Sequence, residues 1–136
     1  MSVGTLIDSN VILDILTDDP TWAEWSIEAL ARVAESGPVY INPIIYAEVS
    51  IRFTSVEDLD EALPPIDFQR RPLPWAAAFL AGKAFLRYRR NGGTRPSTLP
   101  DFFIGAHAAV ADLTLVTRDV GRYQTYFPTV ELVTPA

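Results

Sequence analysis

The chain has 136 residues, of which 49% are hydrophobic and 21% charged, with no cysteine and a formal net charge of −6. That length supports one domain with a real core, and the apolar fraction excludes intrinsic disorder. The lack of cysteine excludes disulfides, thiolate-bound metals and a thiol nucleophile. No apolar run approaches the ~20 residues of a membrane span, and Met1 to Thr5 show no basic segment leading into an apolar core. A cytoplasmic protein, neither secreted nor inserted in a membrane, is therefore expected.

Thr5 to Asp8 reads as a short buried strand, with Ser9 or Asn10 capping a helix over Val11 to Leu16 that stops near Asp18-Asp19-Pro20. Asp19 or Thr21 starts a second helix, in which Trp22, Trp25, Ile27, Leu30 and Val33 recur at roughly helical spacing until Ser36-Gly37-Pro38. A strand, Val39 to Ile41, follows. Pro43 suits the first turn of a helix reaching about Phe53, and Ser55 caps another over Val56 to Leu63. Ile66 to Gln69 reads as extended, and Pro74 to Tyr88 as a long helix carrying Trp75, Phe79 and Phe85. Asn91 to Ser97 is the most flexible stretch. Thr98 caps a helix over Leu99 to Ala111, whose Ala and Gly content permits close packing. Leu113 to Thr117 is a strand, Val120 to Tyr126 a short helix and Thr129 to Val133 a last strand. Strands alternating with helices predict a mainly parallel sheet covered on both faces, an α/β/α sandwich. The large aromatics fall at helical spacing and are expected in the core or at a subunit interface.

Against this background four acids stand out, because each follows or interrupts an apolar segment. Asp8 closes Leu6-Ile7, Glu48 lies within the apolar stretch from Ile41 to Ile51, Asp101 precedes Phe102-Phe103-Ile104, and Asp119 follows Leu113 to Arg118. In an open parallel sheet, ligands bind beyond the carboxyl ends of the strands, where Asp8 and Asp119 are placed. Two carboxylates ~4 Å apart repel by ~4 kcal/mol at an effective dielectric of 20, so a cluster of four requires a cation. Oxygen-only ligands favour Mg²⁺ or Mn²⁺ over zinc. Such a site suits hydrolysis of a phosphodiester by metal-activated water, with no nucleophilic side chain. Singly, each acid has a plainer reading: Asp8 and Asp119 as helix caps, Asp101 complementing a helix dipole, Glu48 pairing with Arg52.

The negative total argues against a nucleic-acid ligand, but its distribution does not. Between Gln69 and Pro96 there are seven basic residues and no acid. Within that stretch Lys83, Arg87, Arg89 and Arg90 are candidates for phosphate contacts, or else a solvated helix end. The acidic remainder suits a basic protein partner. The one histidine, His107, lies among alanines and reads as structural.

Four segments together resemble the conserved blocks of PIN-domain proteins, specifically VapC-type toxins of toxin–antitoxin pairs. They are Leu6 to Leu13, Tyr46-Ala47-Glu48, Leu99 to Ala108 and Leu115 to Asp119. The resemblance covers essentially the whole chain, 1–136, as a single PIN domain. It implies that Asp8, Glu48, Asp101 and Asp119 are the catalytic acids that bind Mg²⁺ or Mn²⁺. Ser9, Asn10 and Thr117 would orient carboxylates or water from behind them. It also implies a metal-dependent endoribonuclease, a hydrolase that inhibits translation, acting as a homodimer on RNA. A cognate VapB-type antitoxin would neutralise it, and DNA would be met only through that antitoxin. One alternative is a non-catalytic partner and co-repressor of a DNA-binding antitoxin. A phosphoryl-accepting receiver domain fits less well, since it needs a lysine at the end of a late strand and Lys83 falls inside a predicted helix.

Overall fold

Successive residues of a strand point to opposite faces of its sheet, and in Thr5-Leu6-Ile7 all three are buried. Both faces of the sheet must therefore be covered, which makes the fold a three-layer sandwich. The computed structural model describes residues 3–96 and 99–135. In chain order the elements are β1 (Thr5–Ile7), α1 (Ser9–Leu16), α2 (Ala23–Ser36), β2 (Val39–Ile41), α3 (Pro43–Ser50), α4 (Val56–Ala62), β3 (Gln69–Arg70), α5 (Trp75–Arg90), α6 (Pro100–Ala111), β4 (Thr114–Val116), α7 (Gly121–Tyr126) and β5 (Leu132–Val133). The sheet is parallel throughout, in the order β3-β2-β1-β4-β5. Its short edge strands, β3 and β5, are exposed or half-exposed, while central β1 and β4 are fully buried.

This order fixes where a ligand binds. The chain moves outward from β1 through β2 to β3, then returns to the other side of β1 for β4 and β5. The crossovers diverge between β1 and β4, opening a crevice at their carboxyl ends. Asp8 follows β1 directly, and Thr117-Arg118-Asp119 follows β4. Among the described residues no helix is long and apolar enough to cross a membrane.

Local chemistry sets most boundaries. Asn42 caps α3 by accepting the Ile45 N–H at 2.9 Å, with Pro43 next in the helix, and Ser55 caps α4 through the Asp58 N–H at 3.1 Å. Asp19 accepts from the N–H groups of Thr21 and Trp22, both at 2.9 Å, turning the chain into α2. Expectation and structure part at several ends. Helix α1 starts at Ser9, because Asp8 supplies the cap in place of Ser9 or Asn10. Helix α3 stops at Ser50, short of Phe53. Ile66 is not extended: Asp67 and Phe68 both bond back to the Pro64 carbonyl, so β3 begins only at Gln69. Helix α5 runs on to Arg90, two residues past Tyr88. Thr98, the expected cap of α6, lies outside the described residues, as does Ser97; Leu99 occupies the cap position without a side-chain bond. The segment before them is tied down by Tyr88, whose carbonyl accepts from Gly93 N at 2.9 Å and whose hydroxyl accepts from Arg95 N at 3.4 Å.

Of the aromatics expected in the core or at a subunit interface, Trp25 and Phe85 pack on the core, and Trp75 and Phe79 lie outside the core of the single chain. Helix α5 turns Ala77, Ala81 and Ala84 inward, which leaves Trp75 and Phe79 on the opposite face, 92% and 69% exposed. That alanine stripe lets α5 lie close to α6. Gly105 does the same on α6, since a Cβ there would stand 2.4 Å from the ring of the buried Phe127. Gly105→Ala is therefore expected to destabilise the fold by about 1–3 kcal/mol. Urea denaturation checks this, and an unchanged midpoint would mean that Phe127 yields without cost.

Candidate active site

Asp8 is the centre of the crevice. Its backbone N–H continues the sheet by bonding to the Val116 carbonyl at 2.9 Å, and the residue is only 5% exposed. Oδ1 accepts from Ser9 N at 2.8 Å; Oδ2 accepts from Thr117 Oγ1 at 2.8 Å, Tyr123 Oη at 3.0 Å and Asn10 Nδ2 at 3.4 Å. Burial outweighs these donors, and the nearby Glu48 charge adds to it, so the carboxyl is pushed up to about 6. Burial and the surrounding carboxylates also raise the Tyr123 phenol well above its ordinary range, which keeps it a hydrogen-bond donor.

The other three acids line the same cleft, whose volume is about 330 Å³, together with Ser9, Asn10, Arg95, Arg122 and Tyr123. Glu48 leans in from α3 and accepts the Ser9 hydroxyl at 2.8 Å; it does not pair with Arg52. Burial raises its carboxyl, with Asp101 contributing. Asp101, in the first turn of α6, takes Arg122 Nη1 on Oδ2 at 2.9 Å, while its buried Oδ1 has no hydrogen-bond partner among the described residues. Asp119 is exposed, held through its N–H to Thr117 Oγ1 at 3.0 Å, and does not cap α7. Thr117 is fully buried and saturated, donating to Asp8 and accepting from Asp119 N and Asn10 Nδ2. Among the described residues, no three acids are gathered closely enough to form a ready-made metal cluster.

Four residues that sequence reading passed over hold this site. Tyr123 and Arg122 reach it from α7. Asp14, only 3% exposed, accepts Arg118 Nε at 2.6 Å and Nη2 at 2.9 Å, plus the Ser26 hydroxyl at 2.8 Å. Arg118 also lies over the Trp22 ring, so the segment carrying Asp119 is fastened to α1 and α2. The one available signal was an acid, Asp14, inside the apolar run Val11 to Leu16. Lys83, Arg87, Arg89 and Arg90 are all exposed, and none lines the cleft; Lys83 and Arg87 sit over the rings of Phe79 and Tyr126. Lys83 lies inside α5 and does not end a strand, so it is not the strand-end lysine that a receiver domain needs.

His107 is fully buried on α6, with Nδ1 3.0 Å from Asn42 Nδ2, so the helix of Asp101 is tied to the start of the helix of Glu48. Asn42 spends its oxygen on Ile45 N, so its amide faces the ring as the donor. Burial, with Arg71 adding to it, lowers the imidazole to about 4. The shifts of His107 and Asp8 oppose each other in acid. The unfolded chain protonates His107 near 6.5 and the folded protein only at about 4, so this contribution to stability is lost as pH falls through that window. Asp8 takes its proton at about 6 when folded and near 3.8 when unfolded, so its contribution grows as pH falls. In EDTA-treated protein, Asp8→Asn should therefore lose stability more steeply than wild type between about pH 6.5 and 4. Urea midpoints measured across that range decide it, parallel profiles being the contrary result.

The sequence profile of the PIN domain matches residues 5–128. No curated protein sequence matches the chain significantly. Among solved structures, VapBC2 from Rickettsia felis bound to a DNA fragment from their promoter aligns with a TM-score of 0.74 at 17% identity, over 97% of this chain and 98% of that one. VapBC-1 from nontypeable Haemophilus influenzae gives 0.72 at 18% identity, covering 96% of each chain. FitAcB from Neisseria gonorrhoeae gives 0.65 at 21%, over 94% of this chain and 95% of that one. The profile spans all four cleft acids and the four strands β1 to β4, and these structures share the fold over nearly their full length. The chain belongs to the PIN-domain family.

Proposed function

We propose that this PIN domain is a VapC-type toxin, a divalent-metal-dependent endoribonuclease that hydrolyses RNA phosphodiesters and so inhibits translation. The observation that carries the reading is the convergence of Asp8, Glu48, Asp101 and Asp119 on one cleft at the switch point of the sheet. The cleft fits a hard cation: its acidic donors are all oxygens, and Asp101 Oδ1 is buried without a partner among the described residues. A bound Mg²⁺ or Mn²⁺ would supply an activated water and neutralise charge on the phosphate.

Asp8, Asp101 and Asp119 would be the main ligands, with Glu48 binding directly or through water. Thr117, Tyr123 and the Ser9 N–H fix the Asp8 carboxylate, and the Ser9 hydroxyl fixes Glu48. Asn10 braces Asp8, Thr117 and the Arg118 N–H from behind. Arg95 gives the cleft positive charge toward the RNA backbone, and the exposed Lys83, Arg87, Arg89 and Arg90 would extend it outside. The net charge of −6 suits a basic VapB-type antitoxin. The VapBC neighbours, one of them bound to promoter DNA, support such a pairing, with DNA reached through the antitoxin. We further infer a homodimer in the cytoplasm.

Induction of wild type and of Asp8→Asn in cells, followed by RNA sequencing, tests the reading. Wild type should arrest growth and cut RNA in a manner abolished by EDTA, with Asp8→Asn at least about 10²-fold slower. If both chains are folded and silent, the protein acts as the non-catalytic partner of its antitoxin. A second prediction concerns the group that sequence reading missed. Tyr123→Phe removes one donor from Asp8 and should slow cleavage by about ten-fold without unfolding the protein. Full activity in that variant would make the phenol a packing residue.

A further inference from the structure

Arg122 is the one basic side chain that forms an ion pair with any of the four cleft acids among the described residues. Its guanidinium does not depend on Asp101 alone. It also lies against the faces of Tyr88 and Phe102, 5.3 and 5.5 Å from their centroids, a shelf formed where α5 meets α6. An arginine so seated can release Asp101 and still remain in the cleft. Asp101 is only half served by it, because Oδ2 takes the guanidinium while the buried Oδ1 has no partner among the described residues. Any divalent ion that recruits Asp101 must compete with Arg122 and overcome the repulsion of its charge. Once released, the planar fork of N–H donors matches a phosphodiester.

We propose that Arg122 is the resident counter-ion of this site: it holds Asp101 before the metal arrives, yields it to the metal, and then pairs with the phosphate of the bound RNA. The inference rests on the metal-dependent nuclease reading. Arg122 therefore weakens metal binding while promoting the reaction, a pair of effects that a purely structural arginine would not combine.

Mn²⁺ binding to the full-length protein, followed by electron paramagnetic resonance, tests this in wild type, Asp8→Asn, Arg122→Gln, Arg122→Lys, Asp101→Asn and the Arg122→Gln/Asp101→Asn pair. Arg122→Gln should bind Mn²⁺ about ten-fold tighter, the size expected on removing a unit charge a few ångströms from a dication in water. That gain should shrink or vanish in the Asp101→Asn background. At saturating Mn²⁺, Arg122→Gln should cleave RNA with a raised KM. Arg122→Lys keeps the charge and loses the fork, so its Mn²⁺ affinity should stay near wild type while its KM for RNA rises. Wild type that binds Mn²⁺ through Asp8, alongside Arg122→Gln of equal or weaker affinity, overturns the counter-ion role and leaves the nuclease reading standing. Wild type without Mn²⁺ affinity overturns both.

Discussion

A carboxylate buried at the end of the central strand is the constraint around which this molecule is arranged. Asp8 is at once the last link of the sheet, through its N–H to Val116, and the first of α1, through its side chain to Ser9 N. Burying an acid costs free energy unless donors meet it, and here β4 and α7 supply them through Thr117 and Tyr123. One side chain thus fastens two strands and two helices at the point where the crossovers diverge. The donors do not fully offset desolvation, which is why the carboxyl stays near 6. That residual cost is what a cation would relieve.

Charge in the cleft is opposed at close range. Four carboxylates face two arginines, Arg95 and Arg122, within a volume of about 330 Å³. Without the arginines the site would repel a nucleic acid; without the acids it would have no purchase on a metal. The basic residues of α5 are exposed and line none of the cleft, so salt screens their charge more fully.

The acidic positions were legible in sequence because a carboxylate flanked by apolar residues is costly to bury and so marks a place where a partner must meet it. The strand Val39–Ile41, Pro43 in the first turn of α3 and the Ser55 cap were equally local, since turn and cap chemistry works within four residues. What could not be read depends on tertiary placement. Arg122 and Tyr123 reach the site only because α7 packs against α6 and α5, and Arg118 finds Asp14 across more than a hundred positions. Spacing alone offers Trp75 and Phe79 to the core or to a subunit interface, yet within the chain Ala77, Ala81 and Ala84 take the inward face of α5. Asp8 satisfied both competing readings, serving as a helix cap and lining the cleft.

The cleft has two walls, each with its own internal bonds. On one side, α1 and the segment after β4 are joined repeatedly: Asp8 to Thr117, Asn10 to Thr117 and the Arg118 N–H, Asp14 to the Arg118 guanidinium. On the other side, α3 and α6, which carry Glu48 and Asp101, are joined through Asn42 and His107. Across the cleft mouth the walls meet through Ser9 with Glu48 and Arg122 with Asp101. Both of these contacts occupy carboxylate oxygens that a divalent ion would claim. The Ser9 hydroxyl and the Arg122 guanidinium thus join the two walls by engaging two of the four acids, Glu48 and Asp101.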